Sequence, residues 1–160
     1  MVDKDTLKKI FLLNDLPDPI LEKLGSIANL ETFDERTVLF EKNQKLKSLY
    51  MVVSGKVRLS ITTAAGESVI LDEVFAGRIF GVAALMEESS SSFDAMCAEP
   101  SSIIIVSAKK MHQLFVEDFK IGHILMLKMV KLFKFRMERH TRQFLQSLVN
   151  HPDIKKLQTK

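Results

Sequence analysis

Few side chains in this sequence stand at spacings that make or break bonds. Ser107-Ala-Lys-Lys110 fits a Ser-x-x-Lys string, found at some serine nucleophiles, but a serine capping the start of a basic helix accounts for it better. Gly55-Lys56 lacks the upstream glycines of a phosphate loop. Cys97, His112, His123 and His140 are candidate axial ligands for a haem iron, yet no pair among them shows a ligand spacing, and core or surface histidines fit the pattern better. One cysteine in 160 residues leaves an iron–sulfur cluster without its ligands. Enzymatic chemistry is therefore not expected. Binding chemistry concentrates between Arg78 and Ala98, where Phe80-Gly81-Val82-Ala83-Ala84 is followed by Glu87-Glu88 and by Ser89 to Ser92, then Phe93. Arg78 offers a cation and Ser91 and Ser92 offer hydroxyls, whereas Val82 has no acceptor and the two glutamates repel an anion.

The elements that position this segment follow from periodicity. Residues 4–13 form a short amphipathic helix through Leu7, Ile10 and Phe11. Asp18 is placed to cap a second helix, with Pro19 at its first position and Ile20, Leu21, Leu24 and Ile27 inward. From about residue 31 to 107 the period shortens to two. Val57, Leu59 and Ile61 alternate with Lys56, Arg58, Ser60 and Thr62, and turn residues recur at Ser54-Gly55 and Ala65-Gly66. Runs at 49–53, 69–75, 93–97 and 103–106 add short strands, a spacing that predicts an antiparallel sandwich or roll. Helical period returns at Ser107, a candidate N-cap, and a long helix without internal proline runs to about Val149, with Pro152 as its stop. The expected organisation is N-terminal helices over 1–30, a β-roll over 31–107, C-terminal helices over 108–150 and a tail over 151–160.

Two runs carry a resemblance. Leu49-Tyr-Met-Val-Val-Ser-Gly55-Lys-Val-Arg-Leu59 and the segment opening at Phe80-Gly81 together resemble the cyclic-nucleotide-binding domain family, with catabolite-activator-type regulators as the nearest branch, over about residues 10–149. The resemblance implies an α+β fold: an antiparallel β-roll of the jelly-roll kind, N-terminal helices and a long C-terminal dimerisation helix. It also implies a short helix after Phe80-Gly81 whose backbone N–H groups face a cyclic phosphate. In the family an acidic residue follows the Phe-Gly and accepts from the ribose hydroxyl, and an arginine pairs with the phosphate. Here those positions hold Val82 and Ser92. An unpaired buried hydroxyl costs roughly 1–3 kcal/mol, and a charged hydrogen bond contributes about 1.5–3 kcal/mol, so ordinary cyclic-nucleotide binding is expected to weaken by powers of ten. The candidate ligand-binding residues are Arg78, Phe80, Gly81, Val82, Ala83, Ala84, Ser91, Ser92 and Phe93. Family members also bind haem, iron–sulfur clusters or organic acids. The cofactor is left open; cyclic nucleotide on a degenerate site is one option, and haem has little support.

Met126, Val130, Phe133, Met137, His140 and Phe144 recur in steps of four and three, a heptad seam. Ile121, Leu125, Met129 and Leu132 form a second stripe beside it. A helix with two apolar faces needs two partners, and the resemblance implies that the second is the same helix of another copy. Residues 1–119 hold 13 Lys+Arg against 18 Asp+Glu, a net of −5, while residues 120–160 hold 10 against 2, a net of +8. The basic helix suits an acidic partner, another subunit's acidic body included, or is simply solvated.

No signal segment and no stretch near the roughly 18 apolar residues of a membrane span occur. With the single cysteine this predicts a cytoplasmic protein. About eleven residues follow Val149, too few for the helix-turn-helix that usually follows in such regulators. The expectation is a freestanding sensor, or the sensor half of a longer regulator, without sequence-specific nucleic-acid binding of its own. Three readings stay open: a dimeric sensor of an unidentified small effector, a protein-interaction module with a collapsed roll, and cyclic-nucleotide binding kept through the backbone cradle and Arg78.

Overall fold

The computed structural model describes residues 1–86 and 89–158, with Leu157 and Gln158 described in backbone only. The chain divides into two compact units, Met1–Ile121 and Gly122–Lys160.

In the first unit, helix α1 (Lys4–Lys8) starts at Asp3, whose carboxylate accepts from the Thr6 N–H at 2.8 Å. The helix is shorter than its pattern suggested. Turns carry the chain onward and still bury Ile10, Leu13 and Leu16. Helix α2 (Asp18–Ile27) begins one residue earlier than expected, with Pro17 at the N-cap and Asp18 and Pro19 already helical. Asp18 serves instead as an anchor, receiving the ammonium groups of Lys4 at 2.6 Å and Lys8 at 2.8 Å.

Eight strands follow: β1 (Ala28–Phe33), β2 (Val38–Phe40), β3 (Ser48–Ser54), β4 (Lys56–Thr62), β5 (Ser68–Phe75), β6 (Ile79–Phe80), β7 (Asp94–Cys97) and β8 (Ser101–Ser107). They build two four-stranded sheets, in the orders β1-β8-β3-β6 and β2-β7-β4-β5, with antiparallel pairing throughout. The strand period puts Val57 and Leu59 inside while Arg58 and Ser60 are half-buried. Gly55 joins β3 to β4 at φ +85°, where a Cβ would lie 2.5 Å from the Pro100 carbonyl oxygen. Only glycine fits that turn. The roll's core holds Phe40, Val52, Val57, Phe80, Ala95, Cys97 and Ile103. Removing each large apolar side chain from water contributes about 1.5–3 kcal/mol, and this interior is what fixes the loop between β6 and β7.

That loop contains a 3-10 turn, Val82–Leu85. Helix α3 (Ala108–Glu117) comes after β8 with Ser107 at its N-cap as expected, although the serine hydroxyl makes no capping bond; the Ala108 N–H donates to the Lys47 carbonyl at 2.9 Å. Helix α4 (Phe119–Asn150) opens under Asp118, which accepts from the Ile121 N–H and pairs with Lys23 at 2.7 Å. In the second unit α4 ends at Asn150, and Pro152 starts a further helix, α5 (Pro152–Gln158). Proline is well suited to a first helical position, and the signal for a stop there is equally the signal for a start. Among the described residues no helix is long and apolar enough to cross a membrane.

Candidate functional site

The segment between β6 and β7 is built on a ring of aromatic side chains. Tyr50 on β3 pairs in register with Phe80 on β6, and their rings stack at 5.0 Å. Phe40 on β2 lies 5.6 Å from Tyr50, 6.1 Å from Phe80 and 6.1 Å from Phe93. Burial pushes the Tyr50 phenol above its usual range, with the Glu31 carboxylate adding to the effect. Phe80 is 1% exposed and marks the floor from which the 3-10 turn springs.

Gly81 sits at φ +72°, and a Cβ there would lie 2.9 Å from the Tyr50 ring and 3.1 Å from the Ser48 carbonyl oxygen. Its carbonyl accepts from the Ala84 N–H at 3.0 Å, closing the turn. In such a turn the leading N–H groups have no acceptor within the helix. Val82 and Ala84 are buried, Ala83 is half-buried, and both alanines and Phe93 join the core of the roll. Small side chains at 83 and 84 let the turn lie close against β3.

The serine run is stitched to the loop between β2 and β3. The Leu46 N–H donates to Ser89, the Ser91 N–H to Gln44 and the Asn43 N–H to Ser91. Ser91 is 2% exposed, and its hydroxyl is used locally: it donates to the Phe93 carbonyl and accepts from the Phe93 N–H. Ser92 is exposed. Arg78 is exposed too, with its backbone held by Phe75 and Val52. The structure thus brings Phe80, Gly81, Val82, Ala83, Ala84, Ser91 and Phe93 together and leaves the Arg78 and Ser92 side chains facing solvent. Glu87 and Glu88, expected to repel an anion, lie outside the described residues. On β7 Ala95 and Cys97 are buried and Met96 is only half-buried. Phe93 packs against the core of the roll and Val82 is buried, whereas Met96 belongs to the other face of its strand.

Cys97 is fully buried, and burial pushes its thiol up, against a weaker opposing bond from Ser101. A thiol so placed is inert rather than a ready ligand. His112, His123 and His140 are exposed. Among the described residues no group of three His, Cys, Asp or Glu is placed to hold a metal ion. In the second unit the seam residues Met126, Val130, Phe133, Met137, His140 and Phe144 are all exposed, with Met137 at 66%. Sequence reasoning missed β2 and therefore Phe40. Its three apolar residues, Val38-Leu39-Phe40, were too short a run to register a period.

An antiparallel roll with a 3-10 turn between its sixth and seventh strands is the fold of a cyclic nucleotide-binding domain. The chain belongs to the cyclic nucleotide-binding domain family, whose model matches residues 30–118. It is 30% identical over 98 residues to the cAMP-activated global transcriptional regulator CRP of Pasteurella multocida, covering 61% of this chain and 47% of that protein. It is 24% identical over 144 residues to the potassium channel KAT1 of rice (Oryza sativa subsp. japonica), covering 87% of this chain and 20% of the channel. The chain therefore spans less than half the length of either relative. The crystal structure of a cyclic nucleotide-binding domain from Methylobacillus flagellatus KT superposes with a TM-score of 0.79 at 17% identity, over 92% of this chain and 83% of that one.

Proposed function

We propose that this domain senses a small effector less charged and more apolar than a cyclic nucleotide, and that it signals as a homodimer through α4. The observation that carries the reading is Val82, buried at 8% exposure at the start of the 3-10 turn where the family places an acidic ribose acceptor. Ser92, in the place of the family's arginine, is exposed and uncharged. Between them lies an apolar and aromatic interior, Phe40, Tyr50, Phe80 and Phe93, suited to a flat or hydrophobic ligand. Phe80, Gly81, Val82, Ala83, Ala84, Ser91 and Phe93 would form its lining, with Arg78 and Ser92 at the mouth.

In this reading the effector displaces the 3-10 turn, the turn moves α3, and α3 passes the change to α4. The exposed seam of α4 supports a symmetric pairing with a second copy, the commonest closed assembly. The relatives' names join related domains to a transcriptional regulator and to a channel, so the output depends on what the domain is attached to or meets. The basic charge of residues 120–160 favours an acidic surface as that partner. A reducing, cytoplasmic setting fits the one buried cysteine.

A second reading is favoured by Phe93, whose ring packs 6.1 Å from Phe40 and joins the core. A roll closed by that ring binds nothing and serves as an interaction module. Calorimetric titration with cyclic AMP and cyclic GMP, together with a visible spectrum for haem, tests both readings. Micromolar binding of either nucleotide overturns the altered-effector proposal. Absence of both leaves an apolar effector or a closed roll, which the Phe93 variant described below separates.

A further inference from the structure

We infer that the first unit carries a second ligand site, separate from the interior of the roll, for a small amphiphilic anion: a phosphate or carboxylate head on a short apolar body. A cavity of about 560 Å³ lies between the 3-10 turn, the loop leading into β3 and the first turns of α3. That volume is in the range of small-molecule pockets. Its apolar lining is Leu46, Ala84, Met86 and Ala108. Leu46, Ala84 and Ala108 are buried and belong to the core, whereas Met86 is 62% exposed and overhangs the opening. The two alanines leave the room that larger side chains would fill.

Charge converges on this hollow from two elements. Lys45 and Lys47 approach from the loop before β3, and Lys109 from the first turn of α3, with His112 one turn further on. No carboxylate lines the cavity among the described residues; Glu87 and Glu88, which follow Met86 in sequence, lie outside them. Nor does any of the three lysines have a described ion-pair partner, although Lys4, Lys8, Lys23 and Lys56 of the same unit each have one. Exposed lysines alone are ordinary. Three unpaired ones on the rim of an apolar hollow are matched by a ligand that buries an apolar body and keeps an anionic head at the rim. Ser107 adds a hydroxyl that caps nothing.

The site does not depend on what the roll binds. A ligand seated there touches the 3-10 turn through Ala84 and α3 through Ala108, so it bears on the same two elements that a ligand inside the roll would move. Free amphiphiles and membrane lipids share this head-and-tail chemistry. The cavity's size commits the inference to a free molecule.

Octyl phosphate is the probe, titrated calorimetrically into the full chain, with inorganic phosphate and octanol in parallel. The expected result is a Kd below about 1 mM for octyl phosphate and at least tenfold weaker binding for the other two. The double variant Lys45→Gln/Lys109→Gln should weaken octyl phosphate by about tenfold or more, since it removes two charge-assisted contacts. Lys9→Gln, an exposed lysine on the far side of the sequence from these elements, should leave the affinity unchanged. Equal thermal midpoints for the variants and the parent show that folding is intact. Inorganic phosphate binding as well as octyl phosphate, or octanol doing so, overturns the proposal by removing the tail or the head from it. Equal loss with Lys9→Gln overturns it as a general charge effect. Binding to phosphatidylglycerol vesicles without binding to soluble octyl phosphate assigns the lysines to a membrane surface and overturns the small-molecule site.

Discussion

Tyr50 and Phe80 lie face to face, their ring centroids 5.0 Å apart and their planes 15° from parallel. The stack ties the β3 run to the segment opening at Phe80-Gly81 in one contact, and it dictates the next residue. The edge of the Tyr50 ring would be 2.9 Å from a Cβ on Gly81, whose φ of +72° already disfavours a side chain. Gly81→Ala is therefore expected to lower unfolding stability by about 1–3 kcal/mol, through backbone strain and the displaced stack. Chemical denaturation measures it. A neutral or stabilising effect would mean that the stack does not constrain the turn.

Phe93 separates a sensor from a closed roll. Its ring is half-buried, whereas Phe40 beside it is 3% exposed. Truncating a fully buried phenylalanine costs about 3–5 kcal/mol, so Phe40→Ala should fall in that range and Phe93→Ala clearly below it. The second readout is binding of a fluorescent apolar dye. If the roll already admits an effector, the parent binds the dye and Phe93→Ala, which removes part of the lining, weakens it. If Phe93 closes the roll, binding appears only in the variant.

Much of the fold was legible because it rests on period and punctuation. The alternation at Val57, Leu59 and Ile61, the glycine after Ser54 and the long helical run after Asp118 each became the element they announced. What stayed hidden was non-local. Nothing near Met96 says which side of β7 faces inward; the pairing with Val38 and Arg58 decides it. Phe40 could not be assigned to the site because β2 is three residues long and held by β7, far along the chain. Arg78 looked available for an anion by type and position, but its exposure follows from the strand it precedes. The lysines around the outer cavity are 62 residues apart in sequence between Lys47 and Lys109, so no window of sequence shows them converging.

Asp18 gives a pH signature. Hydrogen bonds from Lys4 and Lys8 hold its carboxyl down at about 2, against an ordinary 3.8. A depressed folded-state value means stabilisation present above pH 3.8 and lost as pH falls toward 2. Asp18→Asn should thus have a lower thermal midpoint than the parent at pH 6, modestly so because the pair is exposed, and the difference should shrink through pH 2 and vanish below it. A gap that persists undiminished at pH 2 would assign the effect to helix packing instead of the ion pairs.

The α4 seam predicts assembly. Val130 and Phe133 are 59% and 48% exposed in the single chain, and a seam of this kind is stable only when covered. Sedimentation should find a dimer for the parent and a monomer for Val130→Glu/Phe133→Glu. The first unit should keep its near-ultraviolet signal, since both substitutions lie in the second. A monomeric parent at micromolar concentration would remove the dimer from the proposed mechanism.

Introducing a charged pair at 82 and 92 is the sharpest check on the proposed effector. The backbone turn is already in place, closed by the Ala84 N–H on Gly81. On the proposed reading, what the roll lacks is an acceptor at 82 and a cation at 92. Val82→Glu alone places a carboxylate in an apolar interior and should cost stability without adding affinity. Ser92→Arg alone supplies a cation to the phosphate but leaves the ribose hydroxyl unpaired. The double variant gives each charge its role once the nucleotide is bound, so it should bind cyclic AMP at least a hundredfold more tightly than the parent, about 3 kcal/mol. Coupling is the signature: the double effect should exceed the sum of the two single effects, because the glutamate is tolerated only when the ligand and the arginine are present. Additive or absent gains would mean that the aromatic interior around Phe40 and Phe93, rather than the two missing charges, is what turns the nucleotide away.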